Sequence, residues 1–160
     1  MEQAFLKDVE VHQGIIHKIC RMYCDDPADW EDLFQDILLQ LWTAYPTFKG
    51  QSKISTWMYR VALNTAITRL RKWKRRPDNH FFSDKDHNIS DTASIRIDIE
   101  YDEKLQKAIN SLNRFDKALV MLYLDEKSYE EMAEIMGISE SNIGVKINRI
   151  KSKLKAILNI

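Results

Sequence analysis

The stretch SYEEMAEIMGISESNIGVKINRIKSKLK, residues 128–155, decides the fold that this sequence predicts. Ser128 and Glu131 stand at the spacing of a capping box, which begins a helix. Gly137 follows as a residue that can take the left-handed conformation and end that helix. Ser139 then offers the N-cap of a second helix. The stretch therefore predicts two helices joined by a tight turn.

The second of these helices has two chemically different faces. Its apolar residues recur at intervals of four, three, four and three, the period of a helix with one buried side, namely Ile143, Ile147, Ile150, Leu154 and Ile157. The opposite face carries Asn142, Lys146, Arg149 and Lys153. A helix buried on one side, with amides and cations on the other, has the chemistry of a major-groove reader. A merely solvated basic face is the alternative.

Composition favours an all-α protein. The chain has 160 residues, 44% of them hydrophobic, with only four Gly and three Pro among long segments of helical period. No apolar run could span a bilayer and the N-terminus lacks a signal segment, so we expect a cytoplasmic protein without membrane insertion. Cys20 and Cys24 stand one helical turn apart, which predicts buried or half-buried thiols rather than a disulfide or a zinc site.

The net charge of zero conceals a strong segregation of charge. Residues 37–77 contain nine basic and no acidic side chains, and residues 141–160 contain five basic and none acidic. The other segments are acidic. Because a polyanion responds to the local field rather than to net charge, the two basic blocks favour a nucleic-acid partner.

The first basic block predicts a second nucleic-acid surface on a helix over about residues 52–75. One stripe along that helix carries Lys53, Trp57, Arg60, Asn64, Thr68, Arg71 and Arg75. An aromatic ring, an amide and four cations together offer base stacking, base-edge hydrogen bonds and phosphate neutralisation. The alternative is that Trp57 belongs simply to the core.

The preceding helix, which Asp26 and Pro27 begin, predicts a different kind of surface. Its apolar face comprises Trp30, Leu33, Phe34, Ile37, Leu38 and Leu41, and its other face comprises Asp29, Asp32, Asp36, Gln40 and the isolated Leu39. That second face is either a docking edge for a basic or mixed partner or a solvated helix face. The helix before it, over about residues 3–24, has as candidate core residues Phe5, Leu6, Val9, Ile16, Ile19 and Tyr23.

The domain organisation follows from a loss of helical period after residue 77. We expect an N-terminal domain over 1–77, a flexible linker over 78–98 and a helix-turn-helix domain over 99–160. The sequence shows no glycine-rich phosphate loop, no nucleophile with a base and no metal-ligand cluster. We therefore expect no enzyme, no catalytic residue, no metal and no cofactor.

Three runs together, residues 26–42, 48–72 and 128–155, resemble the bacterial RNA polymerase sigma factors. The resemblance is to the small extracytoplasmic-function (ECF) group, which keeps only regions 2 and 4, and it covers nearly everything but the linker. It implies an all-α protein of two small helical domains that gives core RNA polymerase its promoter specificity. Two residues depart from the family: Gly144 stands where a basic residue is frequent, and Glu140 is unusual near DNA.

The resemblance also implies roles for particular residues. Docking on the clamp helices of the largest polymerase subunit falls to Asp32, Leu33, Gln35, Asp36, Leu39 and Gln40. Reading of the −10 promoter element falls to Lys49, Lys53, Ser55, Trp57, Arg60, Asn64 and Arg71. Reading of the −35 element falls to Ser141, Asn142, Val145, Lys146, Arg149 and Lys153.

The partners implied are core RNA polymerase, through its clamp helices and its flap, promoter DNA, and an anti-sigma factor; the chain itself is expected to be a monomer. Two other functions are compatible with the residues. One is a stand-alone helix-turn-helix repressor or activator, which predicts a dimer that binds duplex DNA only. The other is an RNA-binding helical adaptor.

Overall fold

The computed structural model describes residues 1–74 and 103–160, and every regular element within these ranges is helical. This confirms the all-α class. The predicted linker, 78–98, lies outside the described residues, and the exact domain limits stay a prediction. The elements are α1 Glu2–Tyr23, α2 Pro27–Ala44, a 3-10 turn Tyr45–Thr47, α3 Ile54–Lys74, α4 Glu103–Asn110, α5 Arg114–Leu124, α6 Tyr129–Met136 and α7 Glu140–Leu158.

The capping signals act as the sequence indicates. The Ser128 hydroxyl accepts the N–H of Glu131 at 3.1 Å at the start of α6, and Gly137 ends that helix with φ 73°. The Ser139 hydroxyl accepts the N–H of Asn142 at 3.1 Å and begins α7. Both helix starts and the turn between them were therefore readable from local sequence alone.

Helices α1, α2 and α3 pack on one another and enclose the core of the N-terminal unit. Most of the apolar residues predicted to be core are buried, but Leu6 is not: 57% of it is exposed. The backbone of α1 is non-helical at His12 (φ −111°, ψ 16°), and of the residues before that point only Phe5 is buried. Phe5 fits edge-on against Trp42 and Tyr45, with ring centroids 5.0 and 5.2 Å away.

The C-terminal unit is built on α7, which contacts α4, α5 and α6. Ile143, Ile147 and Ile150 are at most 3% exposed, which confirms the buried face of this helix. The stripe does not stay buried to its end, because Leu154 is half-buried and Ile157 is 45% exposed. The C-terminal part of α7 thus extends beyond the packed core of its unit.

The two helical units also touch each other. Helix α3 of the N-terminal unit contacts α5 and α6 of the C-terminal unit. The buried apolar residues of both units consequently join in one cluster. Nothing in the local sequence pattern had indicated this contact.

A glycine inside α7 offers a test of how closely α6 and α7 approach. A Cβ built on Gly144 would lie 3.7 Å from the Tyr129 ring, which is ordinary van der Waals contact. Since glycine inside a helix costs about 0.5–1 kcal/mol relative to alanine, Gly144→Ala should raise the free energy of unfolding by about that amount. Urea denaturation measures it; a loss of stability would mean that Tyr129 cannot accommodate the methyl group.

Candidate nucleic-acid interface

The stripe predicted on α3 is present on the molecular surface. Lys53, just before the helix, and Arg60, Asn64, Thr68 and Arg71 along it are all exposed. Among the other residues predicted for this surface, Lys49 is exposed in the preceding loop and Ser55 is half-buried. Arg75 lies outside the described residues. Two cations and an amide therefore project from one side of α3, and Lys53 adds a third cation just before its first turn.

Trp57 lies at the N-terminal end of this stripe and belongs partly to the core. Its ring centroid is 5.2 Å from that of Phe48 and 6.1 Å from that of Tyr45. These three rings join the end of α2, the loop and the start of α3, while Trp57 remains half-buried. The contact with Phe48 holds the indole against the loop, and part of the indole stays accessible at the start of the stripe.

The loop itself turns at Gly50, which has φ 73°. A residue with a Cβ adopts this conformation only with strain, so glycine suits the position. Lys49 and Gln51 flank it and are exposed. The loop between α2 and α3 thus places polar and basic groups next to Trp57.

On α7, the face opposite the buried isoleucines is also accessible. Ser141, Asn142, Arg149 and Lys153 are exposed, and Val145 is 54% exposed. Because these residues share one side of a helix that follows a tight turn, they are placed as the reading face of a helix-turn-helix would be. Glu140 is also exposed at the start of this helix.

Lys146 differs from its neighbours on this face. It is half-buried, and its Nζ lies 5.1 Å from the ring centroid of Phe115 in α5. Further along, the Nζ of Lys151 lies 4.7 Å from the ring centroid of Tyr123. Both amines therefore already have a favourable cation–π partner within the protein, whereas Arg149 and Lys153 have no such contact with residues 1–74 or 103–160.

The face of α2 that was predicted to dock a partner is only partly as expected. Gln35 and Gln40 are exposed, Leu39 is 58% exposed and the Asp32 side chain is 65% exposed. Leu33 is 1% exposed and belongs to the core, so its placement among surface-contacting residues was wrong. It shares the buried side of α2 with Ile37 and Leu41, which follow it at intervals of one helical turn, and so points away from the exposed face.

Arg69 is a residue that the sequence reading missed. It comes from α3, pairs with Asp36, and has its Nη2 3.7 Å from the Oδ2 of Asp32. One signal in the sequence could have indicated this contact: Arg69 lies outside the stripe of cations on its own helix, so it faces another element. Part of the acidic face of α2 is therefore balanced by a cation of the neighbouring helix.

The thiols behave as structural residues. Cys20 is buried and Cys24 is half-buried, as predicted. Burial, followed by the neighbouring Cys24, raises the pKa of Cys20 to about 12, and burial, followed by Asp29, raises that of Cys24 to about 11. Both thiols are therefore protonated near neutral pH, which disfavours nucleophilic or metal-binding roles.

Residues 1–74 and 103–160 contain neither a metal-binding cluster nor a membrane-spanning helix. No group of three or more His, Cys, Asp or Glu side chains there could hold a metal ion. No helix in the same ranges is both long and apolar enough to cross a membrane.

Family models match both units of the chain. The model of sigma-70 region 2 matches residues 9–76, and the model of sigma-70 region 4 matches residues 102–154. The first match takes in α2, the loop and α3, and the second takes in α6 and most of α7. Both models describe regions of one protein family. The region 2 match contains the surfaces on α2 and α3, and the region 4 match contains most of the surface on α7.

Full-length relatives and solved structures agree with these matches. The chain is 24% identical to the ECF RNA polymerase sigma factor SigW of Bacillus subtilis, over 96% of this chain and 88% of that protein. It is 28% identical to SigM of the same organism, over 94% of both. In fold, it resembles the sigma factor RpoE of Bartonella quintana, solved with the anti-sigma factor NepR (TM-score 0.74, 20% identity, 99% and 98% of the chains). It also resembles CnrH, solved with the cytosolic domain of CnrY (TM-score 0.66, 19% identity, 99% and 90%).

Proposed function

This chain belongs to the ECF group of bacterial RNA polymerase sigma factors, and from that premise we propose how its three surfaces divide the work. As a sigma factor it binds core RNA polymerase and directs transcription initiation. The chain itself catalyses no reaction and works in the cytoplasm, where its polymerase is. A stand-alone repressor is not favoured, because such a protein needs neither a region 2 nor the exposed α3 stripe.

The outer face of α2 docks on the clamp helices of the largest polymerase subunit. Its support is a combination of exposed groups within two helical turns: Asp32, Gln35, Leu39 and Gln40. An apolar side chain that is 58% exposed between carboxylate and amide groups is suited to a partner that offers both cations and apolar contact. Asp36 contributes less directly, because Arg69 already binds it.

Asp32→Lys tests this docking face. Reversing an interfacial charge should weaken binding to core polymerase by about tenfold or more, because an attractive contact becomes repulsive. Folding should change by no more than about 1 kcal/mol, since the side chain is 65% exposed and its contact with Arg69 at 3.7 Å is a surface ion pair. Co-migration with core polymerase over a concentration series measures the affinity.

The matched control is Glu10→Lys, which makes the same charge change at an exposed carboxylate of α1. It should leave core binding unchanged. Equal losses for Asp32→Lys and Glu10→Lys would show that only net charge matters, and an undiminished affinity of Asp32→Lys would remove α2 from the interface.

The loop before α3 and the α3 stripe read the −10 element. The exposed cations Lys53, Arg60 and Arg71 bind phosphates, and the accessible part of Trp57 stacks against a base of the opened strand. Asn64 lies between Arg60 and Arg71 and can form hydrogen bonds with a base edge. Lys49 and Ser55 border the same site from the loop and the first turn of the helix.

The −35 element is read by α7. Its N-terminal half offers Ser141, Asn142 and Arg149 to base edges, and Val145 can contact a thymine methyl group. Lys153 follows farther along and neutralises backbone phosphates. The polymerase flap contacts the same C-terminal unit, and the sigma factor acts as a monomer.

An anti-sigma factor regulates this protein. Support comes from two structures that share its fold, one of a sigma factor with the anti-sigma factor NepR and one of CnrH with the cytosolic domain of CnrY. The observation that carries the whole proposal is that one chain holds two separate basic faces, on α3 and on α7, together with the acidic α2 face. Transcription by purified core polymerase with and without this protein tests it: the protein should add new transcripts that begin at a fixed distance from shared promoter sequences.

A further inference from the structure

A single carboxylate joins the two helical units. Asp125 directly follows α5, and its Oδ1 accepts a hydrogen bond from Lys18 Nζ in α1 at 2.7 Å. Its Oδ2 accepts another from the Tyr59 hydroxyl in α3 at 2.8 Å. The two oxygens of one side chain in the C-terminal unit are thus bound by two different helices of the N-terminal unit.

The surroundings of Asp125 favour this contact. Its side chain is 22% exposed, and Tyr59 is 5% exposed, so water competes little for the bond between them. The Nζ of Lys127, also in the C-terminal unit, lies over the Tyr59 ring, 5.3 Å from its centroid, and adds a cation–π contact. Burial, followed by the hydrogen bond to Asp125, raises the pKa of Tyr59, which keeps its hydroxyl a donor at any physiological pH.

A second contact fastens the opposite end of α5. The Tyr23 hydroxyl at the end of α1 donates to the backbone carbonyl of Arg114, the first residue of α5, at 2.8 Å. Helix α5 is therefore attached to the N-terminal unit at both ends, while α6 packs against α3. We refer to this packing of α5 and α6 on α1 and α3 as the closed arrangement.

The closed arrangement is too small to span a promoter. The 132 described residues (74 + 58), if packed as one globule, have a radius of gyration of about 14 Å and a diameter of about 36 Å. The −10 and −35 elements are named by their positions relative to the transcription start, so their centres lie about 25 base pairs apart. At 3.4 Å per base pair this is roughly 85 Å of duplex. The faces on α3 and α7 cannot reach both elements while their units are packed together.

We propose that Asp125 is an intramolecular latch, which holds the sigma factor closed through Tyr59 and Lys18 and must be released when core polymerase separates the two units. The proposal rests on the function proposed above and adds a regulatory contact to it. Release costs core polymerase part of its binding free energy. A weaker latch should therefore raise the apparent affinity for core, since that affinity scales with the fraction of molecules already open.

Zero-length cross-linking measures the latch directly in the 160-residue chain. A carbodiimide activates the Asp125 carboxylate, and the Lys18 amine then displaces the activated group to form an amide, with the carbodiimide leaving as its urea. Mass spectrometry of the digested protein quantifies this cross-link. Asp125→Asn abolishes it and identifies the peptide pair.

The decisive variant is Tyr59→Phe, which removes one hydroxyl and keeps the buried ring. We expect the Lys18–Asp125 cross-link to fall at least twofold, and the apparent affinity for core polymerase to rise about three- to tenfold. Glu134→Gln, which alters an exposed carboxylate of α6, is the matched control and should change neither quantity. Saturating core polymerase should suppress the cross-link in the parent protein.

Two results would overturn the latch. One is an equal cross-link yield in the parent, Tyr59→Phe and Glu134→Gln proteins. The other is a yield that persists when core polymerase is bound. If core polymerase fails to bind even the parent protein, the proposed function fails instead, and the Tyr59→Phe comparison in the free protein still decides whether the latch exists.

Discussion

Replacing Arg149 with alanine should weaken binding of the sigma–polymerase complex to its preferred promoter by about 1–3 kcal/mol, or about five- to 150-fold. Arg149 is exposed on the α7 face opposite the buried isoleucines, and a bidentate contact to a base edge is worth this much discrimination. Preference among base changes in the −35 element should also relax. A panel of promoter variants, measured at two salt concentrations, separates the two effects.

Lys153→Ala is the control for this prediction, one helical turn farther along the same face. It should weaken all promoters about equally and reduce the slope of log affinity against log salt by about 0.9, as expected for one lost phosphate contact. If Lys153→Ala alters sequence preference while Arg149→Ala does not, the rotational placement of α7 on DNA is wrong. Lys146 is a poorer probe, because its removal also leaves Phe115 without its cation–π partner.

Ile147→Ala should lower the free energy of unfolding by about 2–5 kcal/mol. Ile147 is 2% exposed at the centre of the α7 stripe, so truncation both loses buried apolar surface and leaves a cavity. Since most single domains have a total stability of about 5–15 kcal/mol, this loss is a large fraction of the total. Urea denaturation followed by circular dichroism measures it.

Val145→Ala is the matched control, since it is two residues away on the same helix but 54% exposed. Its effect on stability should remain within about 0.5 kcal/mol, while its effect on promoter binding can be larger. Equal destabilisation by Ile147→Ala and Val145→Ala would contradict the assignment of one buried and one reading face to α7.

Local signals made much of this fold predictable. Ser128, Gly137 and Ser139 determine helix ends through hydrogen bonds to residues within a few positions. Their spacing in the sequence was therefore sufficient to predict these ends. The period of Ile143, Ile147 and Ile150 identifies the buried side of α7 for the same reason. The opposite face, with the candidate −35 residues, is then accessible by geometry alone.

The contacts between distant residues could not be predicted in this way. Tyr59 and Asp125 are 66 positions apart, and Arg69 and Asp36 are 33 apart, so no helical period relates them. The exposure of Leu6 has a similar origin, because only tertiary packing decides which apolar residue of α1 reaches α2. Leu33 was assigned to the docking face only because of the resemblance to sigma factors. Its position in the apolar period of α2 already predicted the buried location that it has.

Transcription by purified core RNA polymerase on sheared DNA of the source organism, with transcript 5′ ends sequenced, tests the central claim most directly. With this protein added, we expect discrete new transcripts that begin a fixed distance downstream of shared −10 and −35 sequences, and their yield should fall when Asp32→Lys replaces the parent. The same 5′ ends with and without the protein, or its binding to duplex DNA as a dimer without core polymerase, would contradict the assignment and favour a repressor.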